Sequence, residues 1–378
     1  MEDRCSGTAT APTHQESCCC GPTSLRNIRY QKITTAGTAD TPVGSFPVVP
    51  TALNWRERLG MLSVRFGYGR MDYAVKPGLY AVGKPTPASP VLVSANYKLS
   101  FDVLRHGLAG LDCWVLVLDT KGVNVWCAAG KGTFGTTEVV RMVKESELAH
   151  VVGHRELVLP QLGAPGVSAH LVEKQSGFAV TYGPVRAEDI KGFLANGKQA
   201  TPGMRRVTFG LADRLVVSLM ELSGAGRTGI IISLALLALL SFGPAGFQLS
   251  FGWHRAAFVV LGLWVAILSG TVLHAALLPW LPGRMFSVKG AAIGAVSLTA
   301  FSLLYAHNAR QPLPWTPALS LVLLGTALSS YIAMNFTGGS TFTSLSGVRK
   351  EIARSLPFIV GGVALSGILQ VLCLLGFV

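Results

Sequence analysis

Charged side chains are scarce in this 378-residue chain, and acidic ones are the scarcest. Asp, Glu, Lys and Arg make up 13% of the residues, with 32 basic against 19 acidic and a formal net charge of +13. None of the four occurs in 228–254, 256–283, 290–309, 311–348 or 355–378. A helix of about 20 apolar residues spans a bilayer, so these stretches exclude an entirely soluble protein and predict a membrane part.

The cysteine patterns that build disulfide frameworks and metal clusters are also missing. The seven cysteines are odd in number and no secretory signal is apparent, which argues against a disulfide-stapled protein and favours a reducing compartment. Without a Cys-x-x-Cys-x-x-Cys run, we expect no iron–sulfur cluster in this chain. The triplet Cys18-Cys19-Cys20 is either a soft-metal site or part of a variable tail with no dedicated role.

Two further absences narrow the classes of partner and ligand. No zinc-finger or RNA-binding signature accompanies the basic charge, so we expect anionic lipid or an acidic protein as partner and no nucleic acid. The sequence Gly130-Lys131-Gly132-Thr133 looks like the end of a phosphate-binding loop, but Val125 stands where that loop needs Gly. Gly132 likewise stands where the loop needs Ser or Thr, which excludes a Walker nucleotide site.

The residues that are present divide the chain into four predicted segments. These are a disordered Cys-containing tail (1–50), a cytoplasmic α/β domain (51–200), a basic juxtamembrane connector (201–227) and a five-helix transmembrane domain (228–378). In the second segment, buried-strand runs alternate with helical patterns, which predicts a Rossmann-like, mainly parallel sheet. The strands are predicted at Pro90–Tyr97, Cys113–Leu118, Glu156–Pro160 and Phe178–Tyr182. Helices are predicted near Ser100–Leu108, from a cap at Thr136-Thr137-Glu138, and at Ala187–Leu194.

A further helix is predicted from Thr51, its expected N-cap. Its apolar residues recur at helical spacing and should share one face, which comprises Trp55, Leu59, Leu62 and Phe66.

The membrane part is predicted to cross the bilayer five times. The predicted spans are 229–250, 256–279, 288–306, 316–336 and 357–378. Five Lys and Arg fall in the loops on the side of the α/β domain and only two on the other, so we expect a multi-pass inner-membrane protein with its N-terminal domain in the cytoplasm. His274 lies well within a span and is interpreted as a packing residue, and the polar loop 335–344 is either flexible or a contact site.

One stretch of the α/β domain has the features of a ligand site. The run 123–131 follows the strand Cys113–Leu118, and ligands of open α/β sheets bind beyond the carboxyl ends of strands. Most free cysteines are small buried hydrophobes, but small neighbours would leave space beside the Cys127 sulfur and Lys131 would favour its thiolate. Neighbouring strand ends should bring further residues to the same edge, where a flat macrocycle could lie; the candidates are Ser94, Asn96, Thr120 and Gly163.

The motif Asn-Val-Trp-Cys-Ala-Ala-Gly-Lys at Asn124–Lys131 resembles the signature of the corrinoid-dependent mercury-methylating HgcA family. That resemblance implies a cobalamin-binding domain joined to five membrane helices, with Cys127 as the catalytic residue and lower axial ligand of the cobalt. The absence of an Asp-x-His-x-x-Gly signature, by which other cobalamin enzymes supply a histidine, agrees with a thiolate ligand. The resemblance also implies that the rest of the motif contacts the cofactor, namely Asn124, Val125, Trp126, Ala128, Ala129, Gly130 and Lys131.

The implied activity is that of a cobalamin-dependent methyltransferase, which passes a methyl group from cobalt to Hg(II) and forms methylmercury. The implied partners are a ferredoxin-like protein of the HgcB type with two [4Fe–4S] clusters, as electron donor, and a folate-linked methyl donor protein. Two alternatives stay open on sequence alone: a membrane-bound heavy-metal-binding or efflux protein that uses the Cys-rich tail, and a membrane-anchored nucleotide-binding sensor.

Overall fold

A computed structural model describes residues 28–243, 246–309, 314–339 and 345–375. The chain forms two compact units. The first combines the chain up to Ala52 with Asp72–Ala200, and the second combines Leu53–Met71 with Thr201–Val378.

The first unit is a mixed α/β domain built on a seven-stranded sheet. Its strands are β1 (Gly37–Thr41), β2 (Gly44–Val48), β3 (Gly78–Val82), β4 (Val91–Ala95), β5 (Cys113–Leu118), β6 (Glu156–Leu159) and β7 (Ala179–Tyr182), in the order β1-β2-β3-β5-β4-β6-β7. The strands β5, β4, β6 and β7 are parallel to one another, whereas β3 runs antiparallel to β5. Every residue of β4 and β5 is buried, as expected for parallel strands covered on both faces.

Short helices cover this sheet. They are α2 (Lys98–Gly107), α3 (Val125–Lys131), α4 (Thr136–Glu145), α5 (Leu148–Val151), α6 (Ala169–Ser176) and α7 (Ile190–Ala195). The first helix of the chain, α1 (Trp55–Arg65), belongs to the second unit. The core between sheet and helices is apolar and includes Leu116, Phe134, Val139 and Phe178.

Two parts of the sheet were missed by the sequence analysis. Residues 1–50 were predicted to be disordered, yet β1 and β2 form an antiparallel hairpin within them. The hairpin residues alternate only weakly between apolar and polar, so no strand pattern is visible. The strand β3 was missed because it follows Pro77 within a stretch that is rich in Gly and Pro.

Two predicted helix caps are corrected by the structure. The helix α1 begins after Asn54 rather than Thr51: the Glu57 N–H donates to Asn54 Oδ1 (2.9 Å), and the Asn54 N–H donates to a Glu57 carboxylate oxygen (3.0 Å). This reciprocal pair is a capping box. The helix α4 is capped by Gly135, with no side-chain cap bond, and not by the threonines that follow it.

The second unit is helical. Its remaining helices are α8 (Leu211–Leu240), α9 (Leu249–Leu268), α10 (His274–Leu277), α11 (Phe286–Ala309), α12 (Trp315–Asn335) and α13 (Leu345–Leu374), with a two-stranded hairpin of β8 (Phe242–Gly243) and β9 (Gly246–Phe247). Within the described residues, five helical segments are long and apolar enough to cross a membrane: Leu211–Leu240, Ala256–Leu277, Phe286–Asn308, Trp315–Asn335 and Ser346–Cys373. The first of them differs from the prediction of 229–250, because the basic connector is continuous with the helix.

His274 lies where a π-helical turn, Ser269–Leu273, joins α9 to α10. Its ring is completely buried and packs edge-on against Phe286 and Phe336, and neither ring nitrogen has a hydrogen-bond partner among the described residues. The predicted packing role agrees with this placement. Of the polar loop 335–344, Asn335 ends α12, Phe336–Gly339 form a 3₁₀ turn, and 340–344 lie outside the described residues.

Candidate functional site

The path of the chain through the sheet creates a switch point between β4 and β6. From β4 the chain passes through α2 to β5 on one side, and from β5 it crosses to β6 on the other side of β4. The loops that follow β4 and β6 therefore leave in opposite directions. The crevice between such loops, at the carboxyl ends of the strands, is where open α/β sheets bind ligands.

Asn96, which follows β4, holds together the turn that follows β5. Its Oδ1 accepts from the Thr120 N–H (3.1 Å), the Thr120 hydroxyl (2.9 Å) and the Gly122 N–H (2.9 Å), and its Nδ2 donates to Asp119 Oδ1 (3.2 Å). Asn96 and Thr120 are completely buried. Both were predicted to contact a cofactor, and in this position they act by fixing the turn that precedes the Cys127 segment.

The same turn is held from the other side by α4. The Asp119 N–H donates to Glu138 Oε1 (2.8 Å), and Asp119 also pairs with Lys121. Lys121 and Gly122 have φ angles of 57° and 71°, in the left-handed region, which is common for Gly and rare for Lys. The turn is thus defined by side chains from two neighbouring elements.

The Cys127 segment is a helix rather than an extended loop. Asn124 is the N-cap of α3, and its Oδ1 accepts from the Cys127 N–H (3.0 Å). Val125, Ala128 and Ala129 are buried at spacings i, i+3 and i+4, so that face of the helix joins the core.

The loop after β6 packs closely against the motif and the residues that follow it. A Cβ on Gly166 would lie 2.3 Å from the Phe134 carbonyl oxygen and 3.0 Å from the Ala129 Cα, and a Cβ on Gly163 would lie 2.5 Å from the Phe134 ring. The loop after β6 therefore contacts α3 almost backbone to backbone. This corrects the expectation that Ala128 and Ala129 leave space beside the sulfur, because their methyl groups face the core.

The outward side of α3 carries the other half of the motif. Trp126 is 49% exposed, Gly130 is exposed with open space where a Cβ would stand, and Cys127 and Lys131 are half-buried beside them. The pairs Trp126–Gly130 and Cys127–Lys131 are each four residues apart, so all four lie on one continuous surface. A broad apolar molecule could approach the Cys127 sulfur over the bare backbone of Gly130.

The other cysteine of the domain has a different environment. Cys113, the first residue of β5, is completely buried, and burial first, then the charge of Asp112, raises the pKa of its thiol to about 12. Cys113 therefore stays protonated at neutral pH, and a thiolate is the form that binds metals. Cys127 alone combines a strand-end position with partial exposure among the described cysteines of this unit.

Two more predicted contact residues are buried. Ser94 lies inside β4 with 3% exposure, and Gly163 ends the 3₁₀ turn Gln161–Gly163 that packs on α3. The predicted residues thus lie at one edge of the sheet. The outward side of α3 forms the surface there, and Ser94, Asn96, Thr120 and Gly163 are buried beneath it. A cavity of about 410 Å³ lies next to this edge but excludes Cys127; it is lined by Asp119, Lys121, Gly132, Thr133, Thr137, Glu138 and Arg141.

A buried ion cluster on α2 was missed by the sequence analysis. Asp102 accepts from Lys98 Nζ (2.5 Å) and from Arg105 Nε (2.9 Å), and all three residues are buried. The spacings Lys98–Asp102 (i, i+4) and Asp102–Arg105 (i, i+3) are visible in the sequence and could have indicated these ion pairs. Asp102, with His106 and Gly107, comes nearest in the sequence to the Asp-x-His-x-x-Gly signature, but the spacing is wrong. The ion cluster gives Asp102 a structural role.

Known proteins are similar to this chain over part of its length. Residues 52–194 match the family model described as CdhD, CO dehydrogenase/acetyl-CoA synthase delta subunit. The acetyl-CoA decarbonylase/synthase complex subunit gamma of Archaeoglobus fulgidus is 34% identical over 127 residues, which are 33% of this chain and 27% of that protein. Subunits of the same name from Methanopyrus kandleri and Methanosarcina acetivorans are 35% identical over 127 residues and 31% identical over 132, each match again covering 33% of this chain and 27% of the relative.

These matches correct the resemblance drawn from the eight-residue motif. The prediction of an HgcA-family protein that methylates Hg(II) is wrong, because the matching family and relatives are acetyl-CoA decarbonylase/synthase subunits. The predicted HgcB-type ferredoxin and folate-linked donor protein are wrong for the same reason. The efflux alternative finds no support either, and Cys18–Cys20 lie outside the described residues.

The similarity has a limited extent. The chain spans about a quarter of the length of the curated relatives it matches, and the matched residues stop before the membrane-type helices. The relatives are subunits of an enzyme complex, so the α/β domain resembles part of an enzyme. The helices from α8 onward lie outside the matched region.

Proposed function

We propose that the α/β domain binds a corrinoid and serves as a methyl-group carrier, with the Cys127 thiolate as the lower axial ligand of the cobalt. The observation that carries this proposal is the outward surface of α3, where the Cys127 sulfur lies beside the exposed Trp126 and the bare backbone of Gly130. The similarity to subunits of acetyl-CoA decarbonylase/synthase, an enzyme complex, supports the same conclusion.

The donor set fits a metal that arrives inside a macrocycle. Within the described residues, no group of three or more His, Cys, Asp or Glu side chains could hold a bare ion. A corrin ring provides four nitrogen ligands of its own, so the protein has to supply only one axial donor. A corrinoid, when bound, supplies a cobalt centre that accepts and releases a methyl group.

The residues around Cys127 would position the sulfur and shield it. Asn124 fixes the first turn of α3, and Asn96 fixes the turn before it through Thr120 and Gly122. Trp126 would cover apolar ring surface and exclude water from the sulfur. An anionic sulfur donates more electron density to a metal than an imidazole does, and ligand identity is the protein's main control over a cofactor's reactivity.

The rest of the chain supports a location of this carrier at a membrane. The five apolar helices support a multi-pass protein, and the excess of basic residues in the loops on one side supports a cytoplasmic α/β domain. We further propose that the domain works with separate protein subunits, as its relatives are named subunits of a complex. Those subunits would deliver and receive the methyl group.

The proposal is tested by the visible spectrum of the full-length protein after it is offered cobinamide, a corrinoid without its own lower base, under reducing conditions. The wild type should bind cobinamide and show a sulfur-ligated spectrum, and Cys127→Ala should bind at least about tenfold more weakly. Cys113→Ala is the matched control and should keep the wild-type spectrum. The thiolate role fails if Cys127→Ala and the wild type give the same spectrum and affinity, and the corrinoid proposal fails if neither takes up colour.

A further inference from the structure

The helix α1 has an apolar face that stays largely exposed among the residues that the structure describes. Trp55 is 65% exposed, Leu59 54% and Leu62 47%, and their spacing places them side by side along one face. The opposite face is the buried one, with Glu57 and Val64 inside. The apolar face that the sequence pattern predicts is therefore the exposed one.

Basic side chains flank this apolar face on both sides. On a helical projection, Arg56 lies to one side of the Trp55–Leu59–Leu62 row, and Arg58 and Arg65 lie to the other. The one acidic residue of the helix, Glu57, is buried and holds the N-cap. Long basic side chains beside an apolar row can extend sideways and hold their charges among anionic groups while the row stays buried.

The position of α1 within its unit supplies the second observation. The segment just after it packs on α8: Arg70 Nη1 lies 3.1 Å from Met220 Sδ, and the Arg227 guanidinium lies 4.0 Å from the centre of the Tyr68 ring. Arg227 is the last charged residue before the apolar stretch 228–254. The segment is therefore anchored where α8 would enter the membrane.

We propose that α1 lies along the cytoplasmic surface of an anionic bilayer, with Trp55, Leu59 and Leu62 in the headgroup region and the flanking arginines on lipid phosphates. The proposal rests on the membrane location proposed above and is independent of what Cys127 binds. Tryptophan favours the membrane–water interface, and basic residues next to a span favour anionic lipid. The experiment below distinguishes this location from a face that is covered by a second copy of the chain or by another protein.

The test uses the full-length chain in nanodiscs made of phosphatidylcholine with one quarter phosphatidylglycerol. A spin label is placed at Leu59→Cys in a background where every cysteine except the buried Cys113 is serine. Collision rates are then measured with oxygen, which concentrates in lipid, and with a water-soluble nickel chelate. A label at Lys144→Cys, an exposed site on α4, is the aqueous reference.

The Leu59 label should collide several-fold more with oxygen and several-fold less with nickel than the Lys144 label. The triple variant Arg56→Gln, Arg58→Gln, Arg65→Gln should move the Leu59 label toward the aqueous values. Removing three exposed charges of the first unit by Lys144→Gln, Lys174→Gln, Lys191→Gln, with the label at Leu59, should leave the label in place. Leu62→Cys gives an independent second position in case the Leu59 variant folds poorly.

Two results would overturn the proposal. Nickel access at Leu59 equal to that at Lys144 would show a face in water. Low access to both reagents would show a face covered by protein.

Discussion

Asn96 and Thr120 join the ends of two parallel strands: the Thr120 N–H and hydroxyl both donate to Asn96 Oδ1, at 3.1 and 2.9 Å. Both residues are completely buried, and a third donor, the Gly122 N–H, reaches the same oxygen. One amide therefore sets the shape of the turn that leads to α3.

Asn96→Ala should destabilise the protein by about 1–3 kcal/mol, because it leaves the buried Gly122 N–H without its acceptor. The two Thr120 donors also lose Asn96 Oδ1 and keep only the Leu118 and Val123 carbonyl oxygens. The loss is measured by chemical denaturation of the α/β domain signal in the full-length protein. Asn196→Ala, at an exposed site, should change stability by no more than about 0.5 kcal/mol. A loss no larger at Asn96 than at Asn196 would contradict the role assigned to the Asn96 amide.

Gly166 and Gly130 should respond in opposite ways to a single added methyl group. Gly166→Ala forces a Cβ to 2.3 Å from the Phe134 carbonyl oxygen, so we expect a loss of about 1–3 kcal/mol. Gly130→Ala meets open space within α3 and should leave stability unchanged or slightly raised. Because Gly130 lies on the proposed corrinoid surface, the second variant should stay folded and bind cobinamide more weakly. Equal stability of the two variants would rule out the tight contact of α3 with the loop after β6.

The two cysteines of the α/β domain should differ in reactivity with pH. Iodoacetamide attacks the thiolate, and the pKa of the Cys113 thiol is raised to about 12, so Cys113 should stay unmodified in the folded protein from pH 7 to 9. Cys127, at the surface of α3, should be modified under the same conditions. Mass spectrometry of the peptides gives both extents, and denatured protein, in which the two should react alike, is the control. Equal modification of both in the folded state would contradict the burial of Cys113.

Asp102→Ala should be among the most destabilising substitutions in the domain. It leaves Lys98 and Arg105 as two buried cations without their shared carboxylate, for which we expect a loss of about 3–5 kcal/mol. Denaturation midpoints are the measurement. Glu188→Ala, which removes the exposed partner of Arg186, is the control and should cost less than about 1 kcal/mol. The cluster is not a stabilising feature if the two variants lose the same amount.

His274→Leu should leave the second unit as stable as before or make it more stable. The imidazole is fully buried with no hydrogen-bond partner for either nitrogen, so an apolar side chain removes a desolvation penalty and loses no bond. Thermal unfolding in lipid nanodiscs measures the change, with Ser329→Leu as the contrast because the Ser329 hydroxyl donates to the Gly290 carbonyl (2.9 Å). A clear loss at His274 would mean that the imidazole has a partner when the protein is in a membrane.

The sequence predicted those features that depend on long apolar patterns. The strands β4 and β5 were found because unbroken apolar runs mark strands buried on both faces, and the five apolar helices were found by their lack of charge. The hairpin of β1 and β2 was not found, since its stability depends on pairing within the sheet rather than on its own pattern. The shared apolar face of α1 was predicted but its exposure was not, because periodicity reveals an apolar face and not what covers it.

At the candidate site the strand-end position of Cys127 was predictable, whereas the roles of its neighbours were not. A run of small residues can leave space for a ligand or for a packed backbone, and only the contacts of Gly163 and Gly166 with Phe134 and Ala129 show the second case. The eight-residue motif was also too short to decide the family. The matches over residues 52–194 assign the resemblance to a different set of proteins.

The helix α8 runs without a break from Leu211 to Leu240, about 45 Å at 1.5 Å per residue, against a hydrocarbon thickness of about 30 Å. If α8 crosses a bilayer as proposed, its first turns would project beyond the lipid as a rigid helical segment. One residue inserted after Arg227 would rotate Met220, and the segment packed on it, by about 100° around the helix axis. The register of a single helix thus decides which way Trp55 points.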